Sequence, residues 1–143
     1  MRFYPVNVQP ETDEGFEGFY GTFVQDEVLP GVAEGKTVDD VLTMLGEMLL
    51  ENIEMYVNEN IAIPDPLPVE QGQYAVMLPT LVEAKVLLHN ARVKRGLNKS
   101  ELGRLTGISA VEMGRILDPR HGTKIEAVDR IMQVLETPLR LSV

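Results

Sequence analysis

NKSELGRLTGISAVEMGRILD, residues 98–118, is the stretch from which the rest of this chain is best read. Asn98 suits a helix N-cap, and Glu101 three residues on completes a capping box. Ser109 and Glu112 repeat the arrangement. Between the two caps lies Thr106-Gly107-Ile108, where the glycine can supply the left-handed residue that ends one helix and turns the chain. Gly103 leaves a side-chain-free position where a second helix could come close. Leu102, Leu105, Ile108, Met113, Ile116 and Leu117 are the apolar positions that would pack the pair. The stretch therefore predicts two short helices joined by a tight turn, the helix-turn-helix pattern. The same signals also occur in an αα-hairpin that touches no nucleic acid.

Outward from this stretch, charge divides the chain. Residues 1–80 hold fifteen acids against two bases, Arg2 and Lys36, a net of −13. Residues 81–143 hold eleven bases against seven acids, a net of +4, which leaves the whole at −9. An acidic half joined to a basic half suggests two partners of opposite charge. A polyanion would be repelled by the first half, so any nucleic-acid contact is expected from the second. The acids taken alone are equally compatible with a merely soluble surface. At 143 residues the chain has room for one domain or two small ones. It lacks cysteine, which excludes disulfides and thiolate sites. No apolar run approaches the ~20 residues of a membrane span, and MRFYPVNVQPETDEG has no signal-peptide core. A soluble cytoplasmic protein without a membrane partner is expected. His89 and His121 are too few and too far apart to suggest a metal site, and no cofactor is expected.

The first half reads as strand, strand, strand, helix, strand. Arg2–Gln9 is aromatic and β-branched, and its Pro5 argues for an edge strand or a strand with one free side. Pro10–Gly15 reads as a polar turn. Phe16–Gln25 is a second strand, in which Gly18 and Gly21 suggest a bulge or a sharp bend. Val32–Gly35 is a short third. Thr37 then caps a long helix whose Val38, Val41, Leu42, Leu45, Leu49, Ile53 and Tyr56 recur at helical spacing. Met44, Met48 and Met55 widen the stripe as core or contact filler. Asp40, Glu47, Glu51, Glu54 and Glu59 line the remaining surface. Gln73–Leu78 is the fourth strand, with Tyr74, Val76 and Leu78 on one face.

The second half reads as helical. Thr80 with Glu83 offers a capping box for a helix that buries Leu81, Ala84, Val86, Leu87, Leu88 and Ala91 and ends at Gly96 after a basic last turn. His89 reads as a packed or partly exposed helix residue. Thr123 with Glu126 offers a cap for a final helix that turns Ile125, Val128, Ile131, Met132 and Leu135 inward, and Pro138 stops it. Leu139–Val143 reads as a terminal strand, expected to pair across a dimer at an open sheet edge, or else a loose tail.

This order of parts resembles a known family. LPGVAEGKTVDDVL, a long helix and NENIAIPDPLP together resemble the HicB-type antitoxin domain. VEAKVLLHNA, ILDPRHGTKI and LRLSV resemble the helix-turn-helix domain, of phage-repressor (XRE/Cro) type, attached to one branch of that family. The resemblance covers essentially the whole chain. It implies an α+β chain: residues 1–79 as a βββαβ, partial ribonuclease H-like, toxin-binding domain, and residues 80–143 as a DNA-binding and dimerisation domain with a short C-terminal strand. With the terminal strand pairing across copies, a homodimer or higher even oligomer through the second domain is expected. The implied partners are a small basic ribonuclease toxin, HicA, and the chain's own operator DNA. The toxin-contacting residues are unknown, the acidic surface of residues 1–79 being suspected. Catalysis is not expected. Ribonuclease H chemistry needs clustered carboxylates on strands, and Phe3-Tyr4-Pro5-Val6-Asn7-Val8 has none, so fold resemblance here does not carry activity. A stand-alone repressor that senses a small molecule is the alternative.

Repressor-like domains set the second helix of the motif in the major groove, N-terminal residues foremost. That makes Ser109, Ala110, Val111 and Arg115 candidates for DNA contact. Ala110 and Val111 offer only apolar contact, for instance to a thymine methyl, whereas Arg115 can grip a guanine or a phosphate. Lys99 and Ser100, opening the first helix, suit a phosphate. Arg120, His121 and Lys124, past the motif, are further phosphate candidates. So weak a direct base code predicts specificity from dimer spacing and DNA shape, together with marked salt dependence.

Overall fold

The computed structural model describes residues 2–140. Over these described residues the fold is α+β, with a four-stranded antiparallel sheet and five helices. Two compact units divide it. One takes Arg2–Asn52 and Pro64–Leu78; the other takes Ile53–Ile63 and everything from Pro79 onward.

The first unit holds β1 (Phe3–Asp13), β2 (Phe16–Phe23), β3 (Val32–Gly35) and β4 (Tyr74–Met77), in the order β3-β2-β1-β4. α1 (Val38–Asn58) is capped by Thr37, whose hydroxyl accepts from the Asp40 N–H at 3.1 Å. Its Val41, Leu45 and Leu49, four residues apart, are fully buried, as are Tyr4, Val6, Phe23 and Ala33 of the strands. Met44 and Met55, expected to widen the stripe, remain half exposed. So does Tyr74, while Val76 and Leu78 are buried.

Three expectations for the sheet need correction. β1 is central rather than an edge strand, and it runs on through Pro10 to Asp13. Both prolines fit because the N and O of one residue face the same neighbour. The Pro5 carbonyl accepts from Val24 N–H at 3.0 Å, just past the end of β2, so its missing donor falls at the ladder's last rung. Pro10 has the opposite parity. Its N faces away from β2, on the side that β4, paired only with Phe3–Val6, does not reach.

Nor is there a bulge at Gly18 or Gly21: the β1–β2 register runs without a break from Val6↔Phe23 to Asp13↔Phe16. The glycines serve close approach instead. A Cβ on Gly18 would stand 2.4 Å from the Gly35 carbonyl oxygen, and one on Gly21 would stand 2.7 Å from Val41 Cγ1 of α1. Gly21→Ala is therefore expected to destabilise the chain by ~1–3 kcal/mol through overpacking. Gly46→Ala, inside α1, meets only Val76 Cγ1 at 3.8 Å and should instead stabilise by up to ~1 kcal/mol through helix propensity. Urea midpoints that move the same way in both variants would contradict this account.

The second unit comprises the end of α1 from Ile53 with the loop to Ile63, then α2 (Thr80–Lys94), α3 (Lys99–Thr106), α4 (Ala110–Leu117) and α5 (Ile125–Val134). Its apolar core is Val82, Ala84, Val86, Leu88, Leu102, Met113, Ile116, Leu117, Val128, Ile131, Met132 and Leu135. Neither Thr80 nor Thr123 caps a helix. Each helix starts elsewhere, with Pro79 and Lys124 in the cap positions and no side-chain cap bond. Proline suits such a start, since its fixed φ leads into the helix and it has no N–H to leave unpaired.

The larger surprise is the face that α2 buries. Leu81, Leu87 and Ala91 are only partly covered, whereas Lys85 and Arg92 are buried beside His89, which packs as expected. Each finds backbone oxygen. Lys85 Nζ donates to the carbonyls of Arg115, Asp118 and His121 at 3.3, 2.7 and 2.5 Å. Arg92 donates to the carbonyls of Val57 and Leu97 at 3.2 and 3.1 Å and to Asn60 Oδ1 at 2.8 Å. Arg95, half exposed, donates to the Leu135 carbonyl. α2 thus sends one cation to the C-terminal end of α4, one to that of α1 and one to that of α5. Those ends present carbonyls that can accept a further donor and the negative pole of the helix dipole.

Leu139 and Arg140 lie outside any strand, and Leu141–Val143 of the expected terminal strand lie outside the described residues. Among the described residues no helix is long and apolar enough to cross a membrane.

Candidate nucleic-acid interface

The α3–turn–α4 segment forms as its caps predict. Asn98 Oδ1 accepts from the Glu101 N–H at 2.8 Å, and Glu101 Oε1 accepts from the Asn98 N–H at 3.2 Å, a complete capping box. Ser109 Oγ accepts from the Glu112 N–H at 3.2 Å. The reciprocal bond is absent there, because Glu112 turns its carboxylate to Arg115, 3.5 Å away. Gly107 takes the left-handed conformation at φ 74°. Gly103 does need to lack a side chain, but its close neighbour is the turn rather than a helix. A Cβ there would stand 2.8 Å from the Ile108 carbonyl oxygen, and the Ile108 N–H donates to the Gly103 carbonyl at 3.0 Å. Leu102, Met113, Ile116 and Leu117 are buried, while Leu105 is 53% exposed and takes no part in the core.

This packing leaves the start of α4 bare. Ser109 and Ala110 are exposed, and Val111 is 69% exposed, the most open large apolar residue among the described residues. Ala110 shares a shallow groove with Ser100, Gly103, Arg104 and Ile108. Lys99 lies in a separate polar recess with Gly114, Asp118 and Pro119. Arg115 is exposed one turn along α4. Arg120 pairs with Glu54, near the end of α1. His121 and Lys124 are exposed in the loop and at the cap of α5. The nine candidates therefore divide between the groove side, the recess side and the loop. Two residues escaped the sequence reading. Arg104 is exposed on α3 beside Ala110, and its only signal was a basic residue one turn after Ser100. Lys85, buried behind α4, had no local signal at all. Among the described residues no cluster of histidine and acidic side chains could hold a metal ion.

Comparison with known proteins bears on the whole chain. Residues 3–87 match the family described as HicB_like antitoxin of bacterial toxin-antitoxin system. The chain belongs to the HicB-like antitoxin family. Over 140 residues, covering 98% of this chain and 86% of the relative, it is 34% identical to Antitoxin HicB 1 of Photorhabdus laumondii. It is 31% identical to Antitoxin HicB of Escherichia coli over 96% of each chain. It is 35% identical to Antitoxin HicB of Pseudomonas fluorescens over 78% of this chain and 77% of the relative. This HicB-like chain is thus an antitoxin of a toxin–antitoxin system, and a regulatory protein rather than an enzyme.

Proposed function

We propose that this HicB-like antitoxin neutralises a small basic ribonuclease toxin through its acidic half and represses its own operon through α3 and α4. In this reading the sheet unit is a partial ribonuclease H-like fold without its catalytic carboxylates. The α3–turn–α4 segment is a phage-repressor-type helix-turn-helix. The functional domains run over 1–79 and 80–143, and the chain acts as a dimer or higher even oligomer. The observation that carries the DNA half is the bare, capped start of α4. An apolar residue as open as Val111, 69% exposed at a helix N-terminus, is costly in water and suited to a thymine methyl in the major groove. The exposed bases Arg115, His121 and Lys124 lie on α4 and the segment after it, and Lys99 opens α3. The carrier of the toxin half is charge: the net −13 of residues 1–80 attracts a cationic partner and repels nucleic acid.

Arg115 is the long donor on α4, and its exposed pairing with Glu112 at 3.5 Å is worth little in water. Transfer from Glu112 to a base edge is thus inexpensive. Arg115→Ala is expected to lower operator affinity by ~1–3 kcal/mol if the contact is bidentate. A gel-shift titration on the chain's own promoter, with wild-type affinity retained by the variant, would remove Arg115 from the interface. Co-purification with the product of the neighbouring reading frame, followed by mass measurement, tests the toxin half. A complex that weakens as salt rises is expected, and no association even at low salt overturns it.

A further inference from the structure

The ammonium of Lys85 is almost wholly buried, at 2% residue exposure, and its three donors meet three backbone carbonyls, those of Arg115, Asp118 and His121. No carboxylate touches it in those bonds. Burial holds its pKa below the ordinary lysine value, with nearby Asp118 pulling the other way. Arg115 lies in the last turn of α4, Asp118 is its C-cap, and His121 lies in the loop beyond. The three carbonyls turn inward to one point, while the Arg115 and His121 side chains stay exposed on the outside. Asp118 adds a second tie, since its Oδ1 accepts from the Arg120 N–H at 2.9 Å. One buried charge thus fixes the backbone that presents Arg115, Arg120 and His121.

We propose that Lys85 is a positioning residue for operator binding: it touches no DNA, but it sets the end of α4 and the following loop so that the Arg115 and His121 side chains reach the duplex together. This rests on the DNA-binding reading above. The chemistry is specific to an ammonium. Three N–H donors diverging from one atom match three converging carbonyls, and a thioether of similar length supplies none. Without the charge the carbonyls lose their shared centre and the loop is released to turn them toward water.

The test is a gel-shift series on the full chain and its own promoter DNA, across a range of salt. Lys85→Met is expected to weaken binding about tenfold or more. The plot of log affinity against log salt should also become shallower by about one, as a loop phosphate contact is lost. The discriminating measurement is non-additivity. Arg115→Ala and His121→Ala should each cost less in the Lys85→Met background than in the wild type. Lys99→Ala, on α3, should cost the same in both. Should Lys85→Met fail to fold, Lys85→Gln, which keeps two of the three donors, takes its place in the same series. A folded variant with unchanged affinity and unchanged salt slope overturns the proposal, as does equal loss from all three alanines in both backgrounds. A wild-type chain that does not retard the promoter is a different failure, visible before any variant is made, and it removes the DNA-binding reading itself.

Discussion

Arg92→Met is expected to destabilise the second unit by about 3–5 kcal/mol, as for breaking a buried, hydrogen-bonded charge. The guanidinium is fully buried and has no carboxylate partner in its bonds. Its charge is met instead by the carbonyls of Val57 and Leu97, by Asn60 Oδ1, and by His89 Nδ1 at 3.0 Å. Methionine fills much of the same volume but donates nothing. The Leu97 carbonyl, Asn60 Oδ1 and His89 Nδ1 then lose this donor, and the Val57 carbonyl keeps only the Asn60 N–H; each acceptor left buried and unpaired costs about 1–3 kcal/mol unless water reaches it. Two of them close the end of α1. There Asn60 takes a left-handed conformation at φ 57°, and the Ile61 N–H donates to the Tyr56 carbonyl at 3.0 Å. The loss should therefore show first as fraying of that end. Chemical denaturation followed by circular dichroism measures it. Arg95→Met, at a half-exposed site, is the comparison and should cost far less. A loss under ~1 kcal/mol for Arg92→Met would falsify the view that this cation organises the unit.

The second large effect is a dependence on pH. His89 is fully buried, with Nε2 2.6 Å from the Ile61 carbonyl oxygen. Nε2 must therefore carry the proton, which leaves Nδ1 bare to accept from Arg92. Burial pulls the His89 pKa down to about 4; the Ile61 carbonyl opposes this, and the charges of Arg92 and Lys99 add to it. The unfolded imidazole titrates near ~6.5. Above that value both states are neutral and the folded state keeps its full stability. Between ~6.5 and about 4 only the unfolded chain takes up the proton, so stability falls as pH falls. Below the folded value both are charged and the loss stops. Across the window the loss amounts to at most ~3 kcal/mol. Carboxylates add their own slope at the acid end, so the informative quantity is a difference. His89→Gln keeps a donor toward Ile61 but has nothing to titrate. Its stability, lower at pH 7, should fall less steeply between pH 7 and 4.5 than that of the wild type. Parallel curves would mean that His89 takes up its proton equally readily in the folded and unfolded states.

These two residues also mark where the sequence stopped being legible. Asn98, Glu101, Ser109 and Gly107 act on atoms within a few positions of themselves, so their caps and turn could be read directly, and they formed as read apart from the reciprocal bond of Glu112. The long stripe of α1 was legible for the same reason, since Val41, Leu45 and Leu49 share one face whatever lies opposite. In α2 the reading held for Ala84, Val86 and Leu88 but not for Leu81, Leu87 and Ala91, and it gave Lys85 and Arg92 no place in the core. Whether a lysine or an arginine can be buried depends on carbonyls that tertiary folding brings from residues 57, 97, 115, 118 and 121. Nothing near Lys85 or Arg92 in the chain announces them. Pro5 failed in the same manner, because its cost depends on which neighbour its nitrogen faces. Of the candidate interface, the exposed start of α4 was legible, and the anchoring behind it was not.

The parity of Pro10 has a consequence for self-association. Beyond Val6, β1 runs on for seven residues with no strand, among the described residues, on the side opposite β2. Such a bare run of amides is an invitation to any extended segment from another copy. A proline set within it removes one rung and puts a ring in the path of an approaching backbone. The long hairpin arm can thus project from the sheet without stitching neighbouring molecules into fibres.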